Sequence, residues 1–357
     1  MKLGNVLLWL LCWLALSACN GDTTPLQPPP VSTPEPFEFT HQGLDGLIIK
    51  RLYQQEDSIL ALTNNGLYQQ QQQQNSWQLI GLEGYELQDL AMITDQHWLA
   101  AVRLQDATES ASNHLQESFD AGASWLAVSR PFGEDGKHEG IYALHYDTLQ
   151  QRLYATGLGV LAQSDNLGIS WQKLQGDWDM LAQPNSALAL APDRSHIWWG
   201  GQGAIENGVL FSYRLADGHS QTFKALLPDP SVYYNLRFAN NHVYACGEGG
   251  IVMTTNNGDS WINLLPESDH RFYFDIAMDP NSNGRLYTAG WDKKFNEPQP
   301  LILQWSDNAG QSWQRLHYQG PPDFMGGVRS MLLVQQQEQS YLYLGLYKGG
   351  MMKVRLE

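Results

Sequence analysis

Ser164-Asp-Asn166-Leu-Gly168-Ile-Ser170-Trp171 recurs, with small changes, as Ser118-Phe-Asp120-Ala-Gly122-Ala-Ser124-Trp125, Thr254-Thr-Asn256-Asn-Gly258-Asp-Ser260-Trp261 and Ser306-Asp-Asn308-Ala-Gly310-Gln-Ser312-Trp313. The shared pattern, Ser/Thr-x-Asp/Asn-x-Gly-x-Ser-Trp, is a hairpin signature. An Asp or Asn oxygen folds back onto nearby backbone N–H groups, Gly supplies a positive φ that β-branched residues resist, and the Trp anchors the outgoing strand by burial. Four copies in one chain mark a repeat architecture, which takes precedence over local readings.

The four Trp residues lie 46, 90 and 52 residues apart (125 to 171, 171 to 261, 261 to 313), so the middle interval holds two periods. Its hidden unit ends in a degenerate copy from Ser212 to Phe223. Another ends at Ser76-Trp77, after a glutamine run from Gln69 to Gln74 that reads as a lengthened hairpin. Ahead of each box stand two alternating, β-branched or aromatic segments, such as Ile141 to His145 with Arg152 to Thr156, or Phe274 to Met278 with Arg285 to Ala289. With the strand after the box, each unit holds four strands. A seventh unit, Val328 to Leu356, has three strands and no box, and Phe37 to Thr40 is an orphan strand. The expectation is an all-β body, a single seven-bladed β-propeller over residues 37–357, with residues 37–40 closing the last blade. Closure removes exposed sheet edges, and about 46 residues per blade suits four strands.

The first 36 residues read differently. Met1-Lys2, an apolar run from Val6 to Ala15 and then Leu16-Ser17-Ala18-Cys19 have the order of a secretory signal, and the run is too short to span a bilayer. Leu16 to Cys19 resembles the lipobox of bacterial lipoproteins. That resemblance implies a signal peptide over residues 1–18, acylation of Cys19, and anchoring without spanning. The Pro/Thr-rich remainder of residues 19–36 has little to bury and is expected to be a tether. Asn20, where lipoprotein sorting associates Asp with inner-membrane retention, favours the outer membrane, with the body facing the periplasm. Cys12 leaves with the signal and Cys19 is lipidated, so Cys246 alone cannot form an internal disulfide.

The chain carries 21 Lys+Arg against 37 Asp+Glu, a net charge of −16, which excludes nucleic acid as a main partner and limits bilayer contact to the acyl anchor. Loops on the face opposite the boxes would surround any central pocket. They supply a candidate binding face of Glu134, Asp135, His138, Glu139, Asp177, Trp178, Asp179, Asp269, His270 and Arg271, with Glu83, Tyr85, Glu86, Glu267, Asp323 and Phe324 around it. Carboxylates from separate loops suit acid–base work or a hard cation, yet the segment Gly133 to Glu139 matches no zinc or EF-hand spacing. Acidic loops are also what the surface of an acidic protein carries. There is no Gly-x-Ser-x-Gly elbow either. No catalytic residue, metal or cofactor is expected.

The boxes resemble the BNR/Asp-box repeats of sialidases, sortilin-type receptors, xyloglucan-cleaving glycosidases and the photosystem II stability and assembly factor family. A single exported or lipid-tethered ring is most similar to the last of these. The resemblance implies a non-catalytic scaffold that binds an envelope or membrane protein complex during assembly or stabilisation, through one face and an Arg-rich patch. Here Arg51, Arg103, Arg130, Arg237, Arg271 and Arg329 fall in different blades, which predicts no common patch. A sialidase would need an Arg-Ile-Pro-like motif before its first box, and the nearest match, Ser129-Arg130-Pro131, follows a box. The alternative is a carbohydrate-binding or glycoside-hydrolysing propeller with Trp178, Trp291, Tyr233 and Tyr85 as sugar platforms.

Overall fold

The computed structural model describes residues 37–71, 74–104, 113–134, 137–204, 207–224, 226, 231–239, 241–266, 270–282 and 284–356. The expected signal peptide, Cys19 and the expected tether lie outside them, as do Asp135 and Asp269. Every regular element among the described residues is a β-strand.

Five four-stranded antiparallel sheets run in chain order, opening with Tyr85–Met92, Ala143–Asp147, Ala187–Leu190, Tyr233–Ala239 and Phe272–Met278. An eight-stranded sheet holds the two ends of the body. Its seam is thin: Asp45–Gln55 meets Gln339–Gly349 only through Asp45 with Gly349 and Ile48 with Tyr347. On one side of that seam lie Asp45–Gln55, Ser58–Thr63, Gly66–Gln71 and Gln78–Gly81. On the other lie Val328–Gln336, Gln339–Gly349, Met351–Leu356 and Phe37–His41. The opening strand of each unit packs on that of the next, and Val328–Gln336 returns onto Asp45–Gln55, so seven innermost strands make a closed ring. This is a β-propeller.

The orphan strand closes it. Phe37 pairs with Leu356 and His41 with Met352 in an unbroken antiparallel register. Phe37 is buried against Trp305 and Tyr287 of the preceding unit, with ring centroids at 4.8 and 6.5 Å.

In each box the Ser or Thr hydroxyl accepts the Gly N–H, at 2.8 Å for Gly122, Gly168 and Gly310 and 2.9 Å for Gly258. The Asp or Asn oxygen accepts the N–H of the following Ser, at 2.8 Å from Ser124 and 2.9 Å from Ser170, Ser260 and Ser312. The residue before each Gly is also left-handed, with φ of 54–56° at Ala121, Leu167, Asn257 and Ala309. Each box Trp reaches the preceding unit. Trp171 meets Phe132 at 4.9 Å, Trp261 meets Phe223 at 5.5 Å, and Trp313 donates to the Leu264 carbonyl at 3.0 Å. The repeat therefore joins neighbouring sheets as well as turning the chain. In the degenerate unit an Arg214–Asp217 pair at 2.8 and 2.9 Å and a left-handed Gly218 take the place of the box.

Candidate functional site

The ring encloses an axial cavity of about 930 Å³ lined by the seven innermost strands. Five of those strands bulge near their first residues, with register breaks at Ile49/Arg51, Leu87/Asp89, Tyr233/Asn235, Tyr273/Ile276 and Val328/Ser330. A bulge adds a residue to one strand and re-aims its side chains. The residues at these breaks line the cavity in pairs: Lys50 and Arg51, Gln88 and Asp89, Tyr234 and Asn235, Phe274 and Asp275, Arg329 and Ser330.

The second residues of the bulges are satisfied among themselves. Asp89 accepts the N–H groups of Leu90 at 2.9 Å and Leu144 at 2.8 Å, takes the Tyr53 hydroxyl, and lies 3.6 Å from Arg51. Arg51 also donates to the Ser186 carbonyl, just ahead of Ala187–Leu190. Asp275 holds Arg237 by two bonds of 2.7 and 2.6 Å and accepts the Ile276 N–H at 2.9 Å. Asn235 caps Leu236 in the same way at 2.9 Å.

The first residues form a layer closer to the mouth, and it is uneven. Lys50 donates to Glu86 and Gln88, both at 2.8 Å, and Glu86 also meets Arg103 at 3.0 Å. Burial pulls the Lys50 ammonium down to about 8 even though Glu86 draws it back up. Burial works against the charge of Glu86 too, yet Lys50 and Arg103 hold it below the usual carboxylate range. Across the mouth, Tyr234 and Phe274 stack at 3.9 Å, and the Arg329 guanidinium lies 4.7 Å from the Phe274 centroid. Phe272, Trp291, Phe295 and Tyr347 continue this aromatic wall, with Trp291 and Tyr347 stacked at 4.9 Å.

The lining holds five cations, Lys50, Arg51, Arg103, Arg237 and Arg329, against four carboxylates, Glu86, Asp89, Glu248 and Asp275. Glu248 is already taken by Lys293 from outside the lining. The acidity of the chain as a whole therefore does not reach its axis. Four of the six arginines that seemed dispersed along the sequence converge here, because a ring brings equivalent positions of distant units to one point. Arg130 and Arg271 do not join them, being bound to Glu117 and Asp292.

Of the loop face read from the sequence, Glu86 alone among the described residues lines this cavity. Trp178 is buried, donates to Glu134 at 3.1 Å and meets Phe132 edge-on at 4.8 Å. Glu139 accepts the backbone N–H of Leu158, and that of Asp179 at 3.4 Å, so it fastens its loop to the next unit. Burial raises the Glu139 carboxyl above its ordinary value against the pull of those N–H groups. His138 and Asp179 are exposed, Asp177 pairs with Lys173 at 2.8 Å, and His270 sits in a left-handed turn. Three of the four proposed sugar platforms are enclosed, with Trp178 at 7%, Trp291 at 1% and Tyr233 at 0% exposure; Tyr85 is half-buried. Trp178 lies in a loop as expected, whereas Tyr85, expected in a loop, opens the strand Tyr85–Met92; Trp178 and Tyr233 pack in the cores between sheets, and Trp291 belongs to the aromatic wall.

No family model matches the chain, and no curated protein does. Many solved structures are similar. YCF48 bound to D1 peptide aligns with a TM-score of 0.62 at 14% identity, covering 90% of this chain and 97% of that one. YCF48 from Cyanidioschyzon merolae aligns with a TM-score of 0.60 at 10% identity, covering 89% and 98%. The GH74 enzyme of Niastella koreensis aligns with a TM-score of 0.62 at 14% identity, covering 88% of this chain and 53% of the enzyme, so this chain spans about half of that protein. At such identities the likeness extends to architecture alone: the chain shares the all-β propeller fold of YCF48 and of the GH74 enzymes.

Proposed function

We propose that this protein is a non-catalytic, lipid-anchored scaffold of the cell envelope that holds a segment of a membrane-complex protein at the mouth of its axial cavity. The observation that carries this reading is the cavity itself, with five cations against four carboxylates and an aromatic wall in an otherwise acidic chain. Arginine and aromatic side chains are the residues that dominate binding energy at protein interfaces. The likeness to a propeller solved with a D1 peptide supports a peptide as the occupant. Enclosure of three of the four candidate platforms weighs against the carbohydrate reading.

Two experiments test it. In the native host, labelled fatty acid should be incorporated at Cys19 and lost in Cys19→Ser, with the protein recovered in outer-membrane fractions. A tagged, lipidated chain should enrich one membrane complex from detergent-solubilised envelopes. That enrichment should survive Glu134→Gln with Glu139→Gln and disappear with Phe295→Asp and Lys348→Glu at the aromatic rim. Recovery of no complex, or loss with the loop variant alone, would overturn the proposal.

A further inference from the structure

Arg329 is the one cavity-lining cation without an anionic partner among the described residues. The other four meet carboxylates, at 2.8 Å for Lys50, 3.0 Å for Arg103, 2.6 Å for Arg237 and 3.6 Å for Arg51. Arg329 has only the face of Phe274, and its Nε–H is buried with no acceptor. Burial lowers its affinity for a proton, and Tyr234 and the more distant Glu86 carboxylate offset that only in part. A buried N–H that has lost water and gained nothing is a cost the fold bears. Arg329 is half-buried, and no carboxylate meets it within ion-pair distance among the described residues.

From this we infer a ligand site at the mouth: Arg329 receives a carboxylate attached to a flat apolar group, whose ring or chain lies along Phe272, Tyr234 and Phe295. This deepens the scaffold reading and rests on it for the source of the carboxylate. The guanidinium is a planar fork that matches a carboxylate with two parallel bonds, and stacking on Phe274 fixes its plane. One free cation calls for a monoanion. Lys50 is near enough to feel the Arg329 charge but is engaged by Glu86 and Gln88, so a phosphate would lack a second free charge. The wall supplies the apolar half, because Phe295 is 44% exposed while its ring packs on Trp291 at 5.0 Å and Tyr347 at 5.6 Å.

Phenylacetate and its neutral analogue phenylacetamide, titrated calorimetrically into the full chain at neutral pH, test the site without any partner. Saturable binding of the acid, at least tenfold tighter than the amide, is expected. Arg329→Met should reduce it at least tenfold without lowering the melting temperature. Equal affinities for acid and amide, no saturable binding of the acid, or an unchanged Arg329→Met variant would each overturn the assignment. The acid–amide comparison on the native chain decides the matter even where the variant misfolds. Stronger competition by inorganic phosphate than by phenylacetate would overturn the carboxylate in particular. An extended peptide with an aromatic residue beside an aspartate, displacing phenylacetate, supports a peptide source. Phenylacetate binding that no such peptide displaces supports the site with a small organic acid as its occupant. Capture of a membrane complex by Arg329→Met after phenylacetate binding is lost keeps the site and removes it from partner capture.

Discussion

Lys50 and Gly258 show how single residues are held against their own preferences. The Lys50 ammonium is depressed from 10.5 to about 8, chiefly by burial, so below pH 8 the folded state carries the full cost of keeping it charged. Between pH 8 and 10.5 the unfolded chain binds more protons at this group, and stability rises with pH through that window. Measured by urea unfolding, native stability relative to Lys50→Met should therefore climb across pH 8 to 10.5, by up to about 3 kcal/mol, and stay level below pH 8. Gly258 is left-handed at a φ of 93°, and an added Cβ would strike the Phe223 ring. Gly43 has a φ of 78° with nothing within 4 Å of such a carbon. Alanine at Gly43 should cost about 1 kcal/mol for backbone alone. Alanine at Gly258 should cost about 1–3 kcal/mol more, seen as a lower urea midpoint, because the neighbouring unit must also move.

Among the elements, the bulged strands and the closing strand carry most of the consequences. A bulge changes which face a residue serves, and nothing in Leu87-Gln88-Asp89 or Val328-Arg329-Ser330 announces one. Alternation alone assigns Arg329 to one face and Ser330 to the other, whereas both line the cavity. The closing strand makes a sharper prediction. A chain beginning at Phe37 should melt with the same midpoint as the longer protein. A chain beginning at Gln42 should melt lower and associate through the bared edge of Met351–Leu356, seen as concentration-dependent mass in light scattering. Equal midpoints for the two would remove residues 37–41 from any part in closing the ring.

For the molecule as a whole, the architecture was legible because its signals are local and repeated. Residues 37–40 are expected to close the last blade, and Phe37–His41 pairs there with Met351–Leu356; the strand pairs ahead of the boxes match within a few residues, as Phe274 to Met278 matches Phe272–Met278. The candidate site was only partly legible. Glu134, Trp178, Glu139 and Asp179 do come together, but as struts between units, since a Trp in a loop can satisfy its indole N–H and bury its ring as well as face water. The cavity was missed because its chemistry depends on where units meet. Lys50, Tyr234 and Arg329 belong to three units, and only closure places them in one mouth.

The pairing of Phe37–His41 with Met351–Leu356 also sets a clock. The first strand of the body leaves the ribosome some 300 residues before its partner, roughly half a minute at ~10 residues per second. For that time its hydrogen-bonding groups await a strand that does not yet exist. Glu38, Thr40 and His41 are exposed in the finished ring, and the same polar residues make the waiting segment a poor template for a neighbouring nascent chain. Completion of the fold is thus a late event, decided by the arrival of the final six-residue strand.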